Sequence, residues 1–251
     1  MDPSFPYDAS YIVMTGIEKA IAKAIYDYHL IEEGDRILIG ASGGKDSTTL
    51  SWALARRLRW EGPRFTLQAL RIRTDVPGGA MPKEAEQALK WLYAEWGVPL
   101  ETVDVPVIGR LKPGKEMNCY WCATQRRTEL MRYALAHGYN KIALGHHLDD
   151  ILTTLLMNMV KKGELSTMIP KLAYRKFPVT VIRPLALVPE ESIRRFAAFQ
   201  GWLNVTCSCS YGAEGERKEF QRRLEVLTGG ELDAKLRMFY SLSRVNREYL
   251  P

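Results

Sequence analysis

Apolar positions along the chain follow two alternating periods. Over residues 11–32, Ile17, Ala20, Ile21, Ala24, Ile25 and Tyr28 share one helical face, and Glu33-Gly34-Asp35 ends that helix. Arg36 to Ala41 is short and nearly all apolar, the pattern of a strand buried on both faces of a parallel sheet. A polar glycine loop, Ser42 to Ser47, leads into a helix over 47–60. The alternation then repeats: strand 65–72, helix 82–96 with Pro82 suited to its first turn, and strand 100–105. Lys112-Pro113-Gly114-Lys115 is a loop before Cys119, and helix 123–137 stops at His137-Gly138. Strand 141–144, helix 149–162, strand 179–182 and helix 190–200 follow. The tail, 214–248, reads as helical with a break at Gly229-Gly230.

Strands separated by helices imply an α/β fold, a parallel sheet flanked by helices. Such sheets bind ligands at the carboxyl ends of their strands. The polar motifs all follow predicted strands or sit in the loops after them, which points to one site. The pattern divides the chain into an N-terminal helical segment (1–34), a catalytic domain (35–205) and a cysteine-containing helical C-terminal segment (206–251).

The loop Ser42-Gly43-Gly44-Lys45-Asp46-Ser47 has the chemistry of a phosphate site. Adjacent glycines let the backbone approach an anion and present N–H groups to it. The helix that follows adds donors and a positive dipole end. Lys45 can neutralise phosphate charge, and the Ser42 and Ser47 hydroxyls can donate to phosphate oxygens. Asp46 would repel bare phosphate, so a Mg²⁺ between them is the natural reading. The loop lacks the spacer and Gly-Lys-Ser/Thr of a Walker loop. The structural alternative is a Gly-Gly turn with a Ser or Asp helix cap.

Charge and cysteine usage narrow the partners. The net charge of +6 suits a polyanion such as RNA, and equally an ordinary basic enzyme. The first ten residues, MDPSFPYDAS, show no basic n-region or apolar h-region, and no apolar run approaches the ~18 residues of a membrane span. A reduced, cytoplasmic protein with no membrane association is expected. Its four cysteines form two pairs, Cys119-x-x-Cys122 and Cys207-x-Cys209. Four thiolates can bind zinc, and three can hold a [4Fe–4S] cluster with one iron open. The first pair alone can cycle as a dithiol.

SGGKDS after an apolar strand resembles the signature of the PP-loop ATP-pyrophosphatase family, which includes NAD and GMP synthetases, argininosuccinate synthetase and tRNA thiolases. That resemblance implies an adenine nucleotide alpha hydrolase-like architecture and cleavage of ATP between its α and β phosphates, with AMP placed on a substrate oxygen. Further segments are similar to the tRNA 2-thiocytidine synthase group: 31–47, CYWCATQRR (119–127), LGHHLDDILTTLLMNM (144–159), GELSTMIPKL (163–172) and VIRPLALVPEESI (181–193). The similarity spans about residues 31–225. The group often has Glu-Thr where this chain has Thr153-Thr154, and P-C-x-x-C where it has C-x-C.

The resemblance implies an ATP-dependent tRNA sulfurtransferase that adenylates a base carbonyl oxygen, at cytidine C2, and replaces it with sulfur. Its cofactors are ATP, Mg²⁺ and a [4Fe–4S] cluster on Cys119, Cys122 and a third cysteine. Cys209 is chosen over Cys207 because CSYG, with Arg217-Lys218 after it, resembles the ligand segment of shorter relatives. Its partners are tRNA and a sulfur donor, sulfide or a cysteine desulfurase, and a homodimer is an expectation because the group often dimerises. Lys45 stabilises phosphate charge and Asp150 binds metal or positions substrate. Cys122 or Cys209 carries sulfur if a persulfide rather than an open iron delivers it. Gly145 and His146 lie against the nucleotide, with His146 also a hydrogen-bond donor or a proton shuttle near neutral pH. The Ile72 backbone meets the adenine, and Arg126 and Arg127 pair with RNA phosphates. Tyr120 and Trp121 shield the cluster or stack a base. The rivals are a PP-loop sulfurtransferase acting on uridine or a small molecule, a non-thiolating PP-loop ligase, and a non-catalytic iron–sulfur or zinc RNA-binding module.

Overall fold

The computed structural model describes residues 7–60, 62–174, 177–202 and 215–249. Six strands form one sheet in the order β3-β2-β1-β4-β6-β5, with β1 Asp35–Gly40, β2 Phe65–Thr74, β3 Leu100–Val105, β4 Lys141–Ala143, β5 Lys171–Ala173 and β6 Thr180–Ile182. All neighbouring pairs are parallel except β5 on β6. The central strand β1 explains its own sequence. Ile37 and Ile39 point into one core, Leu38 points into the other, and none of the three is exposed. An all-apolar run is what a strand covered on both faces requires.

The helices are α1 Tyr7–Asp27, α2 Lys45–Arg57, α3 Lys83–Glu95, α4 Cys119–Ala136, α5 Leu148–Lys162, α6 Glu190–Phe199, α7 Glu216–Thr228 and α8 Leu232–Ser241. One face of the sheet packs on α4 through Leu130, Met131 and Ala134. The other carries a larger core fed by α1, α2, α3, α5 and α6, with Leu224 of α7 and Phe239 of α8. The last two helices pack on α5, which brings the C-terminal part of the chain to the catalytic end of the sheet.

Several boundaries differ by a few residues from the sequence pattern, and three departures have a local cause. β5 was not expected, because Lys-Leu-Ala offers too few residues to show a period, and it joins as a short antiparallel edge. Helix α4 starts at Cys119, four residues earlier than its apolar pattern suggests. The cause is local: the Asn118 side chain accepts a hydrogen bond from the Trp121 N–H at 2.8 Å, a helix N-cap that nucleates the first turn. The cysteine motif is therefore helical rather than part of a loop. Helix α1 ends at Asp27, and His29 adopts a left-handed φ of 48° beyond it.

Strand order reverses at β1. The chain runs outward to β2 and β3, then returns to β4 on the other side of β1. The crevice at the carboxyl ends of β1 and β4 is therefore the switch point where open α/β sheets bind ligands.

Candidate active site

The loop after β1 and the segment after β4 meet in this crevice. Two glycines make the approach possible. Gly43 has φ of 84°, and a Cβ there would lie 2.2 Å from the Met81 Cε. A Cβ on Gly145 would lie 3.0 Å from the Ser47 backbone nitrogen and 3.2 Å from the Asp46 carbonyl oxygen, so only glycine lets the 144–147 segment lie against the first turn of α2.

Between them opens a cavity of about 290 Å³ lined by Ser42, Asp46, Ser47, Ile72, Gly145, His146, Asp150, Arg126 and Arg127, among others. Nine residues singled out in the sequence thus share one cavity. Gly43, Gly44 and Lys45 belong to the same loop. Leu70, Leu130 and Leu144 join Ile72 as an apolar wall that the sequence motifs do not reveal. Leu70 accepts a hydrogen bond from the Ala41 N–H at 2.9 Å, on the β1 side of β2. Strand alternation turns the Ile72 N–H and C=O the same way, into the space beyond the end of β1.

The loop is internally braced. Ser42 and Ser47 hydroxyls lie 2.9 Å apart, and Ser47 donates to the Gly44 carbonyl at 3.1 Å. The Lys45 ammonium sits 3.2 Å from Asp46 and 2.9 Å from Glu190, the first residue of α6. Burial works against that ammonium, but the Asp46 and Glu190 carboxylates outweigh it and hold its pKa above the ordinary lysine value. Burial pushes the Asp46 carboxyl up, against the pull of His147 and Lys45. One Asp46 oxygen is buried without a hydrogen-bond partner among the described residues. That oxygen is the one 3.2 Å from the Lys45 ammonium, and a hard carboxylate oxygen with hydrogen-bonding capacity to spare beside a phosphate site fits a Mg²⁺ ligand.

At the start of α5, Asp149 and Asp150 divide their roles. Asp149 is buried; it accepts the Glu190 N–H at 2.7 Å and pairs with Lys235 of α8 at 2.6 Å. Asp150 faces the cavity, accepts the His147 N–H at 3.3 Å and pairs with Arg217 of α7 at 2.6 Å. Burial opposes its ionisation, but His147 and Arg217 prevail and its pKa lies below the ordinary carboxylate value. Glu190 and Lys235 were missed as site residues, and Arg217 was noted only as a basic residue of the tail, not as the partner of Asp150. On helices far away in sequence, each reads as an ordinary surface charge.

The surroundings of His146 bear on its two expected roles. Burial pulls its pKa down to about 4, helped by Arg183, Arg217 and Arg127 and opposed by Asp150. It is neutral near pH 7, which favours the hydrogen-bonding role over the proton shuttle. Its Nδ1 is buried without a partner among the described residues. Because the folded pKa lies below the unfolded value of about 6.5, the folded state binds fewer protons between the two values. The stability associated with neutral His146 is complete above pH 6.5 and is lost as pH falls toward 4, on the order of a few kcal/mol. Urea midpoints measured from pH 7 to 4.5 are expected to fall more steeply in the parent than in His146→Gln. Parallel curves would refute the buried neutral histidine.

The cysteine motif lies on the rim. Cys119 is exposed and Cys122 half-buried, one helical turn apart on α4, and Ala123 already lines the cavity. Trp121 is an anchor: its indole N–H donates to the Val107 carbonyl at 3.0 Å, and it packs with Cys122 on Val76, Val105 and Val107. Tyr120 is largely exposed. Cys207 and Cys209 lie outside the described residues, so the choice of third ligand does too. Among the described residues, no three His, Cys, Asp or Glu groups form a metal cluster, and no helix is long and apolar enough to cross a membrane.

A family described as the PP-loop domain matches residues 13–207, well over half of the chain. The chain belongs to the PP-loop family. This PP-loop protein is 39% identical over 195 residues to the tRNA-cytidine(32) 2-sulfurtransferase of Syntrophotalea carbinolica, covering 77% of this chain and 74% of the relative. It is 34% identical over 242 residues to the protein of that name from Geotalea uraniireducens, covering 95% and 94%. Among solved structures, the U34-tRNA thiolase NcsA from Methanococcus maripaludis, determined with its [4Fe-4S] cluster, matches with a TM-score of 0.75 at 20% identity, over 96% of this chain and 82% of that one. NMN synthetase from Francisella tularensis matches at 0.55 and 14%, over 94% and 93%. At such identities the solved structures establish the PP-loop fold.

Proposed function

We propose that the protein is an ATP-dependent tRNA sulfurtransferase that converts a cytidine to 2-thiocytidine. One observation carries the reading: the phosphate loop, the apolar wall, Asp150 and the Arg126–Arg127 pair line a single cavity, with the C-x-x-C on its rim. The names of the relatives support the tRNA cytidine as substrate.

ATP enters with its adenine against Ile72, Leu130 and Leu144 and its phosphates over the loop. The cytidine O2 attacks the α-phosphorus, and the bond to the β-phosphate oxygen breaks. Lys45 and the loop N–H groups take up charge on the departing pyrophosphate. Hydrosulfide then adds at C2, and O2 leaves with AMP. Oxygen is exchanged for sulfur with no net oxidation or reduction, and the proton of hydrosulfide passes to solvent. Adenylation is needed because a base carbonyl oxygen is a very poor leaving group. Arg126 and Arg127 pair with RNA phosphates at the mouth. Asp46, whose buried oxygen makes no hydrogen bond among the described residues, would hold Mg²⁺ against the phosphates. Cys119 and Cys122, with Cys209, would hold a [4Fe–4S] cluster, which supplies an open iron for the incoming sulfur.

The test is anaerobic purification with iron and acid-labile sulfide assays, followed by incubation with unmodified tRNA, ATP and sulfide. About four irons per chain are expected for such a cluster, together with 2-thiocytidine by mass spectrometry and equal amounts of AMP. Cys119→Ala should abolish both the iron and the thiolation. ATP turnover with no thionucleoside, or normal activity in Cys119→Ala, would overturn the reading.

A further inference from the structure

Strand β2 carries an arginine where its pattern calls for an apolar residue. Leu67 and Ala69 face the larger core, and alternation places Arg71 on that same face. Arg71 is only 5% exposed. Its Nη1 donates to the sulfur of Met81 at 3.1 Å, a weak acceptor, and its Nε is buried without a partner among the described residues. No carboxylate among the described residues forms an ion pair with it. Glu86 is the acid whose charge bears on it most. Glu86, however, is shared between Arg73 and Lys90, each at 3.8 Å. A guanidinium taken out of water with neither anion nor full hydrogen bonding is costly, unless an anion arrives from outside.

The position says which anion. A Cβ on Gly43 would lie 3.3 Å from the Arg71 Nη1, so the guanidinium stands against the turn of the phosphate loop. Charge balance makes the same point. Lys45, the loop's own cation, is already matched by two carboxylates, Asp46 and Glu190. Without Arg71 the loop's immediate side chains would sum to a negative charge, a poor reception for a polyphosphate. Arg71 brings the sum back to zero, and the backbone N–H groups and the α2 dipole are then left in excess.

We infer that Arg71 is a positioning residue for the polyphosphate, supplying from beside Gly43 the counter-charge that holds the β and γ phosphates of ATP and the pyrophosphate left after cleavage. This rests on the adenylation reading above and adds a residue from outside the glycine loop.

The test titrates pyrophosphate and, separately, ATP, each with Mg²⁺, into the full-length holoprotein and into R71M and R71K, following thermal stability and binding. In R71M the unliganded protein should melt at or above the parent temperature, since a buried unpaired charge has gone, while pyrophosphate binds at least tenfold more weakly. R71K should recover most of that affinity. In turnover, R71M should raise KM for ATP more than it lowers kcat. A change in pyrophosphate affinity of less than threefold in R71M would overturn the inference, whatever its melting temperature. If R71M does not fold, R71Q is read by the same criterion. If the parent protein binds neither pyrophosphate nor ATP, the adenylation reading itself fails, which separates the two.

Discussion

Lys45→Ala is expected to slow tRNA-dependent AMP formation by about 10²–10³-fold, the range seen when one donor to a developing anion is removed. The fold should survive almost unchanged. Lys45 is balanced by Glu190, which is 40% exposed and can turn to water once the ammonium is gone, and by Asp46, whose carboxyl burial already pushes toward the neutral form. Pairs that wet contribute about 0–1 kcal/mol. The combination is diagnostic: a large loss in single-turnover AMP release with a melting temperature close to the parent's. A rate within threefold of the parent would remove Lys45 from the chemistry and leave the backbone N–H groups to carry the phosphate charge.

Lys235→Met should do the reverse and strike stability first. Lys235 and Asp149 are both nearly inaccessible, and their charges meet at 2.6 Å. Burial disfavours the ammonium, yet hydrogen bonds to Asp149 and Glu225 raise its pKa above the ordinary value. Removing it leaves the Asp149 carboxylate in a dry site, supported among the described residues by the Glu190 N–H at 2.7 Å and the His147 ring at 3.8 Å. Breaking a buried pair on one side costs about 3–5 kcal/mol, a large part of the roughly 5–15 kcal/mol that holds a domain together. Adding Asp149→Asn should restore part of the loss, because the stranded charge is then gone. Urea denaturation of the parent, both single variants and the double variant measures this directly. A loss below 1 kcal/mol in Lys235→Met would mean that water reaches the pair.

The sequence made some of this site plain and hid the rest for physical reasons. Ile37-Leu38-Ile39 announces a strand with two covered faces, and the SGGKDS loop follows from it. Ile72, Gly145, His146 and Asp150 were legible from the family resemblance and because each lies near the carboxyl end of a strand or in the segment after it, where a parallel sheet puts its ligands. Glu190 was hidden because an acid in the first turn of a helix already has a reason to be there, the helix dipole. Arg217 and Lys235 lie in polar helices and acquire meaning only where tertiary packing brings them to Asp150 and Asp149. The α4 start was missed because Cys-Tyr-Trp-Cys is a poor helical sequence, and the Asn118 cap, not propensity, starts the turn. Three-residue β5 carries no period to read.

The Asp149–Lys235 contact joins residues 86 apart in the chain. During synthesis the phosphate loop, β4 and the start of α5 emerge long before α8 does, and a nascent domain folds from its N-terminal side as it leaves the ribosome. Until Lys235 is available, Asp149 lacks the ammonium that offsets its burial, and the N-terminus of α5 cannot settle at full strength. The nucleotide crevice therefore matures only once α8 has been made, and a chain released before residue 235 would hold the sheet without a finished site.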